Sequence, residues 1–275
     1  MVPPPHETAD LAKAFDGKFS PELLFGIGGG TGFGWFTYGD HSTLLTRITT
    51  RETPKESFLL DICTRLGVDA RLAAAGGAPA LRKRIDAAKA AGDTVLLAVG
   101  GPAVSYSATL VDQVTDDLLT RAAALPGAAR NRILVIPRGH NVSATALHSA
   151  IRAGLRAHID QMRDGFGPPS TRGSFGLAGF ERWRRSAPSL DANARDRLRE
   201  QIERRGGGPA LRAAHATFLD QAGLKRAAEL TRQCADAWSA VVAEPTPGRI
   251  TTIEEAERAA IDAIETSDLM KEKAT

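Results

Sequence analysis

Apolar residues three and four positions apart mark the first helices of the chain. In PKESFLLDICTRLG (54–67), Phe58, Leu59, Ile62, Cys63 and Leu66 recur at that spacing, with proline before the run and glycine after it. PALRKRIDAAKAAG (79–92) repeats the punctuation. SPELLF (20–25) reads as a capped helical turn, with Ser20 as N-cap, Pro21 at the first helical position and Glu22 in the first turn. VLLAV (95–99), SATLVD (107–112) and RILVIP (132–137) are short, β-branched and bounded by turn residues, so they predict strands.

Beyond about residue 141 the pattern predicts no further strand. SATALHSAIRAGLRAHIDQMR (143–163) reads as one amphipathic helix, and GFGPPSTRGSFG (165–176) as a loop. Helical periodicity returns at 191–205, 209–222, 224–243 and 251–266, broken by GGGP (206–209) and PTPG (245–248). The expectation is an α+β fold: an N-terminal α+β domain over 1–140 and an all-helical C-terminal domain over 141–275. No internal repeat is visible.

Composition narrows the class. The 275 residues are 43% hydrophobic and 24% charged, in the globular range, with ample length for a core. A net charge of +3, spread among helices, does not argue for nucleic acid. ERWRRS (181–186) reads as a solvated helix end rather than an anion site. Two cysteines, Cys63 and Cys234, exclude a disulfide framework and a cysteine zinc site. The start, MVPPPHETAD, lacks the basic and apolar regions of a secretory signal. The longest apolar run, TVLLAVGGPAV (94–104), falls short of the roughly 18–20 residues of a membrane span. A cytoplasmic protein without membrane or nucleic-acid partners is expected, with no metal or organic-cofactor signature.

The densest local signal is FGIGGGTGFGWFTY (25–38), glycines set among Phe33, Trp35, Phe36 and Tyr38. It fails both phosphate templates: no glycine triplet has G-x-G-x-x-G spacing, and no lysine lies between Lys18 and Lys55. Glycine lets backbone pass close to large rings or to a ligand. Two readings stay open. One is a tight turn feeding an aromatic core. The other is the wall of an acyl pocket formed by Gly28, Gly29, Gly30, Phe33, Trp35 and Tyr38, with Tyr106.

Nucleophiles are scarce. Cys63 and Cys234 fall within apolar stripes and read as core thiols, and no serine sits in a G-x-S-x-G elbow. His148 and His158 share a helix but lie ten apart, which excludes a metal pair between them. His215 sits in a helical run and reads as structural or surface; His140 reads as a loop residue. His6 and His41, with Glu7 and Asp40 beside them, are the best general acid/base candidates.

HETADLAKAFDGKFSPELLFGIGGGTGFGWF (6–36) resembles the opening of the butirosin biosynthesis protein H N-terminal family. FGLAGFERW (175–183), GGGPALRAAHATFLDQAG (206–223) and the helix bearing Trp238 resemble the helical domain of unknown function that accompanies it. Together the stretches span roughly residues 6–243. The resemblance implies a papain-like cysteine acyltransferase fold with a small β-sheet, in which an acyl group passes from a carrier-protein thioester to an amine. It also implies a thiolate at the start of the first helix, a histidine and an orienting acid.

This chain departs from that pattern. Its start reads His6-Glu7-Thr8 without a cysteine, and GGPAVSY (100–106) holds no histidine, while Asp112 fits the acid position. The resulting expectation is a biosynthetic enzyme that acts on an acyl intermediate, free or carrier-bound, by transfer or cyclisation without a cysteine nucleophile. His6, Glu7, His41 and Asp112 would supply the acid/base groups. The alternative is a catalytically inactive relative that binds the intermediate, a carrier protein or a partner subunit. A homodimer is compatible with either.

Overall fold

The computed structural model describes residues 6–38, 41–45, 57–99, 107–125, 127–165, 173–187, 192–200, 202 and 208–271; at 6, 7, 37, 38, 41–45, 107 and 128 only the backbone is described. The fold is mixed α+β with small antiparallel sheets. The chain divides into two units, Pro4–Gly28 with Thr49–Ile151 and Gly29–Ile48 with Arg152–Thr275.

The first unit is built on a four-stranded antiparallel sheet. Its order is β3 (Arg71–Ala74), β6 (Arg132–Ile136), β4 (Thr94–Val99), β5 (Ser107–Leu110). Alternation along the strands sends Val95, Leu97, Val99, Ile133 and Val135 to one face. There they pack on Leu81, Ile85 and Ala88 of α4 (Ala78–Ala90) and on Leu119 and Ala122 of α5 (Asp116–Ala123). Each buried Val, Leu or Ile among them stabilises by about 1.5–3 kcal/mol. The opposite-face residues Leu72, Leu96, Ala98, Ala108 and Leu134 meet Leu59 of α3 (Phe58–Arg65) around a small cavity that Ser57 and Arg132 also line.

Two short helices complete this unit. In α1 (His6–Ala14), Asp10 accepts the Leu110 N–H at 3.1 Å, which ties the helix to β5. In α2 (Pro21–Ile27), Ser20 Oγ accepts the Leu23 N–H at 3.1 Å, the cap that the Ser-Pro-Glu pattern predicts, and Arg65 donates to the Ile27 carbonyl at the other end.

The second unit holds a three-stranded antiparallel sheet in the order β2 (His41–Leu45), β1 (Gly34–Tyr38), β7 (Gly173–Phe175). Around it lie α7 (Gly176–Ser186), α8 (Ala192–Glu200), α9 (Gly208–Gln221), α10 (Lys225–Ala243), α11 (Pro247–Glu265) and α12 (Asp268–Lys271). The residues of α6 (Ala144–Arg163) from Arg152 onward belong here too. Phe33 stacks on Phe180 with centroids 3.8 Å apart, Trp35 on Trp183 at 5.5 Å, and Trp183 on Trp238 at 5.7 Å. Aromatic pairs in this range add about 0.5–1.5 kcal/mol beyond area burial.

Two expectations need correcting. The C-terminal half is not all-helical, because residues 173–175 form β7 against Gly34–Phe36. Nor do contacts divide the chain at residue 140. Residues 29–48 group with the C-terminal part because β1 pairs with β7 and Phe33 and Trp35 bury their rings against α7 and α10. Among the described residues no helix is long and apolar enough to cross a membrane.

Candidate functional site

The glycine-rich segment makes a turn, and the turn lies on a buried polar cluster of the second unit. Gly29 and Gly30 adopt φ of +107° and +64°, values that disfavour any side chain. A Cβ on Gly29 would come within 3.0 Å of Gln161 Nε2, and one on Gly30 would fall onto Nδ1 of His215. The backbone therefore approaches the side chains as closely as glycine allows.

Beyond the glycines, two carbonyls are taken up by side chains distant in sequence. Thr31 O accepts from His158 Nδ1 at 2.9 Å, which fixes the Nδ1–H tautomer of the neutral ring. Gly32 O accepts from Arg212 Nη2 at 3.1 Å. Arg212 also donates through Nε to Glu257 Oε1 at 2.7 Å, and its guanidinium lies 4.9 Å from the Trp238 ring centroid. The same Glu257 oxygen accepts the Trp238 indole N–H at 2.9 Å. One carboxylate thus joins α9, α10 and α11, and Arg212 carries the network on to the turn.

His215 stands apart within this network. Its ring lies 4.3 Å from that of His158 and 5.4 Å from that of Phe218, and the residue is 1% exposed. Neither of its ring nitrogens has a hydrogen-bond partner among the described residues. The Gln161 Oε1 atom is likewise buried and unpartnered. Burial pushes the His215 pKa well below its usual value, and neighbouring His158 and Arg212 push it further. Burial also lowers His158, helped by the Arg212 charge, against a pull upward from Glu257 and from the Thr31 and Gly29 backbone. Both imidazoles are neutral at pH 7. A neutral imidazole with two uncommitted nitrogens can both donate and accept a proton.

Phe33 and Trp35 are fully buried and packed ring on ring, so their faces are occupied by protein. Gly28 caps α2, and Gly29 and Gly30 form the turn over Gln161 and His215. Asp112 follows β5 on the exposed surface, with its carbonyl accepting from Lys89. His41 pairs with Tyr38 across the β1–β2 hairpin. The side chains of His6, Glu7, Tyr38 and His41, and all of Tyr106, lie outside the described residues.

Both thiols are core residues. Cys63 and Cys234 are fully buried, and burial pushes Cys63 up to about 12 and Cys234 higher still. Among the described residues no group of three or more His, Cys, Asp and Glu could hold a metal ion.

Periodicity alone did not single out His158, Arg212, His215 and Glu257. The usable signal was a polar residue inside an apolar stripe. His215 falls between Leu211 and Leu219, and Glu257 between Ile253 and Ile261, each at four-residue steps. No protein-family model matches the chain, and no curated protein matches it.

Proposed function

We propose that this protein handles an acyl-bearing biosynthetic intermediate without forming an acyl-cysteine, with His215 as the proton-transfer group beneath the glycine turn. The observation that carries the non-covalent reading is the state of the two thiols. Each is buried in a packed helix with a raised pKa, so neither offers a thiolate. The acyl class comes from the resemblance of residues 6–36 to the butirosin biosynthesis protein H N-terminal family, with its papain-like acyltransferase fold, and of 175–183, 206–223 and the Trp238 helix to the helical domain that accompanies it. The mixed α+β architecture is compatible with it.

In this reading a neutral His215 takes the proton of an attacking amine or hydroxyl and returns it to the leaving group. Transfer to an acceptor and ring closure within one substrate both fit that role. A second reading is favoured by the near-complete burial of His215 at 1% exposure. There the protein is an inactive relative that binds the intermediate, a carrier protein or a sister subunit, and the cluster only shapes the turn.

Incubation with an acyl-carrier thioester and an amine acceptor separates the readings. Amide or cyclic product, with no acyl adduct in the intact mass and loss of turnover in His215→Gln, supports the first. Binding of the thioester without product supports the second. A stable adduct on Cys63 or Cys234 overturns both.

A further inference from the structure

Two buried hydrogen bonds hold the glycine turn to the helices of its own unit, from His158 to the Thr31 carbonyl and from Arg212 to the Gly32 carbonyl. We propose that the His158–His215 pair is a proton-operated latch on the turn at residues 29–32, closed while both rings are neutral and opened when they take up a proton.

The charge inventory of the cluster makes this follow. α6 contributes His158 and the neutral Gln161; α9 contributes Arg212 and His215; α10 contributes Cys234 and Trp238; α11 contributes Glu257. The turn itself contributes carbonyls and no ionisable side chain. Arg212 and Glu257 cancel, so the closed cluster is neutral when both imidazoles are. A proton on either ring adds an uncompensated charge in a space sealed from water, with the Arg212 cation nearby.

Nδ1 of His158 already donates to the Thr31 carbonyl, so an added proton goes to Nε2, where the Gly29 backbone favours the charged ring, whereas His215 has no hydrogen-bond partner among the described residues. A protonated His215 gains partners by admitting water, and the backbone lying on it is that of Gly30, with Gly29 beside it over Gln161. These two glycines, without Cβ atoms, can rotate to other φ values at little cost. The turn is therefore the part of the cage that yields.

Opening would give solvent and substrate a route to His215, and this consequence rests on the proposed acyl role. The motion itself needs no substrate. A chain whose turn opens in acid but which turns nothing over would separate the two. Each imidazole protonated only in the open form shifts the balance about ten-fold towards opening between pH 7.5 and 5.5.

Amide hydrogen exchange on the full chain, corrected for intrinsic rates, reads the latch at those two pH values. The expected result is a ten-fold or greater loss of protection in peptides covering 29–36, which stay less protected than α10 and α11 at both pH values, with β4 and β6 of the other unit unchanged. In His215→Leu the loss shrinks, and in His158→Gln/His215→Leu it disappears. Should the variants fold poorly, carbon-13 imidazole spectra of the unmodified chain serve instead. Two of its six histidines must then titrate below the usual range, with the same midpoint as turn exchange. Equal protection at both pH values overturns the latch. So does turn protection that equals that of α10 and α11 at pH 5.5, the mark of whole-unit unfolding, or buried histidines that titrate while the turn stays protected.

Discussion

Arg212 and Glu257 form an ion pair at 2.7 Å with side chains 0% and 4% exposed, 45 residues apart in sequence. Two charges removed from water are tolerated because each finds other partners: Gly32 O for the guanidinium, the Trp238 indole for the carboxylate. Breaking one side is far costlier than replacing both.

Glu257→Gln keeps the volume but leaves the Arg212 charge buried without a counter-charge, and should cost about 3–5 kcal/mol. The double replacement Arg212→Met/Glu257→Leu should cost clearly less than the single change. Urea unfolding followed by tryptophan fluorescence measures both. All three tryptophans, at 35, 183 and 238, belong to the second unit, so the signal reports that unit alone. A double variant weaker than the single would contradict this account of the pair.

Glycine at position 30 is required twice over, by backbone conformation and by space. Gly30→Ala places a Cβ at φ +64° and onto His215 Nδ1, whereas Gly223→Ala meets φ +79° but open space. Gly223→Ala should cost about 1–2 kcal/mol, the left-handed penalty by itself. Gly30→Ala should cost a further 1–3 kcal/mol for the overpacked ring. Equal losses in fluorescence-detected urea unfolding would mean that the turn does not lie against His215.

Much of the fold was legible because its elements carry their own boundaries. The Pro-to-Gly span 79–92 became α4 at 78–90, and the apolar runs 95–99 and 132–137 became β4 and β6. The N-cap at Ser20 appeared as written. Strands β1 and β7 were not foreseen, since GWFTY and GSF show no apolar–polar alternation. They form because rings and glycines interlock across the pair, Phe36 against Phe175 at 4.9 Å. β3 is alanine-rich and half exposed, so nothing in its pattern separates it from a helix end.

The polar cluster was illegible for a different reason. Its bonds join residues 45, 127 and 180 apart, and no local period encodes such meetings. Only the intrusion of His215 and Glu257 into apolar stripes hinted that these side chains had buried partners.

The two thiols offer separate reporters for the two units. Cys63 lies in the first and Cys234 in the second, both fully buried. With its pKa near 12, Cys63 holds only about one part in ten thousand of thiolate at pH 8 even before access is considered. A thiol reagent should therefore label neither cysteine in the native chain and both in strong denaturant. Pulse labelling at intermediate urea, with each site quantified by mass, should give a Cys234 curve that tracks tryptophan fluorescence. Rapid labelling of either cysteine in the absence of denaturant would remove the basis for a non-covalent mechanism.

Acid should weaken the second unit before any carboxylate is involved. The native pKa values of His158 and His215 lie below the unfolded value of about 6.5, so the unfolded chain binds more protons there. Stability contributed by the neutral rings is complete above about pH 7. It falls as pH drops through 6.5, by about 1.4 kcal/mol per pH unit for each ring, until that ring's native pKa is reached. Urea midpoints from tryptophan fluorescence at pH 7.5, 6.5 and 5.5 should fall in that order. In His158→Leu/His215→Leu the midpoint should vary much less over the same range, even if its value at pH 7.5 is lower. An unmodified chain whose midpoint holds steady from pH 7.5 to 5.5 would show that these imidazoles bind protons equally well folded and unfolded, and the buried neutral pair would have to be abandoned.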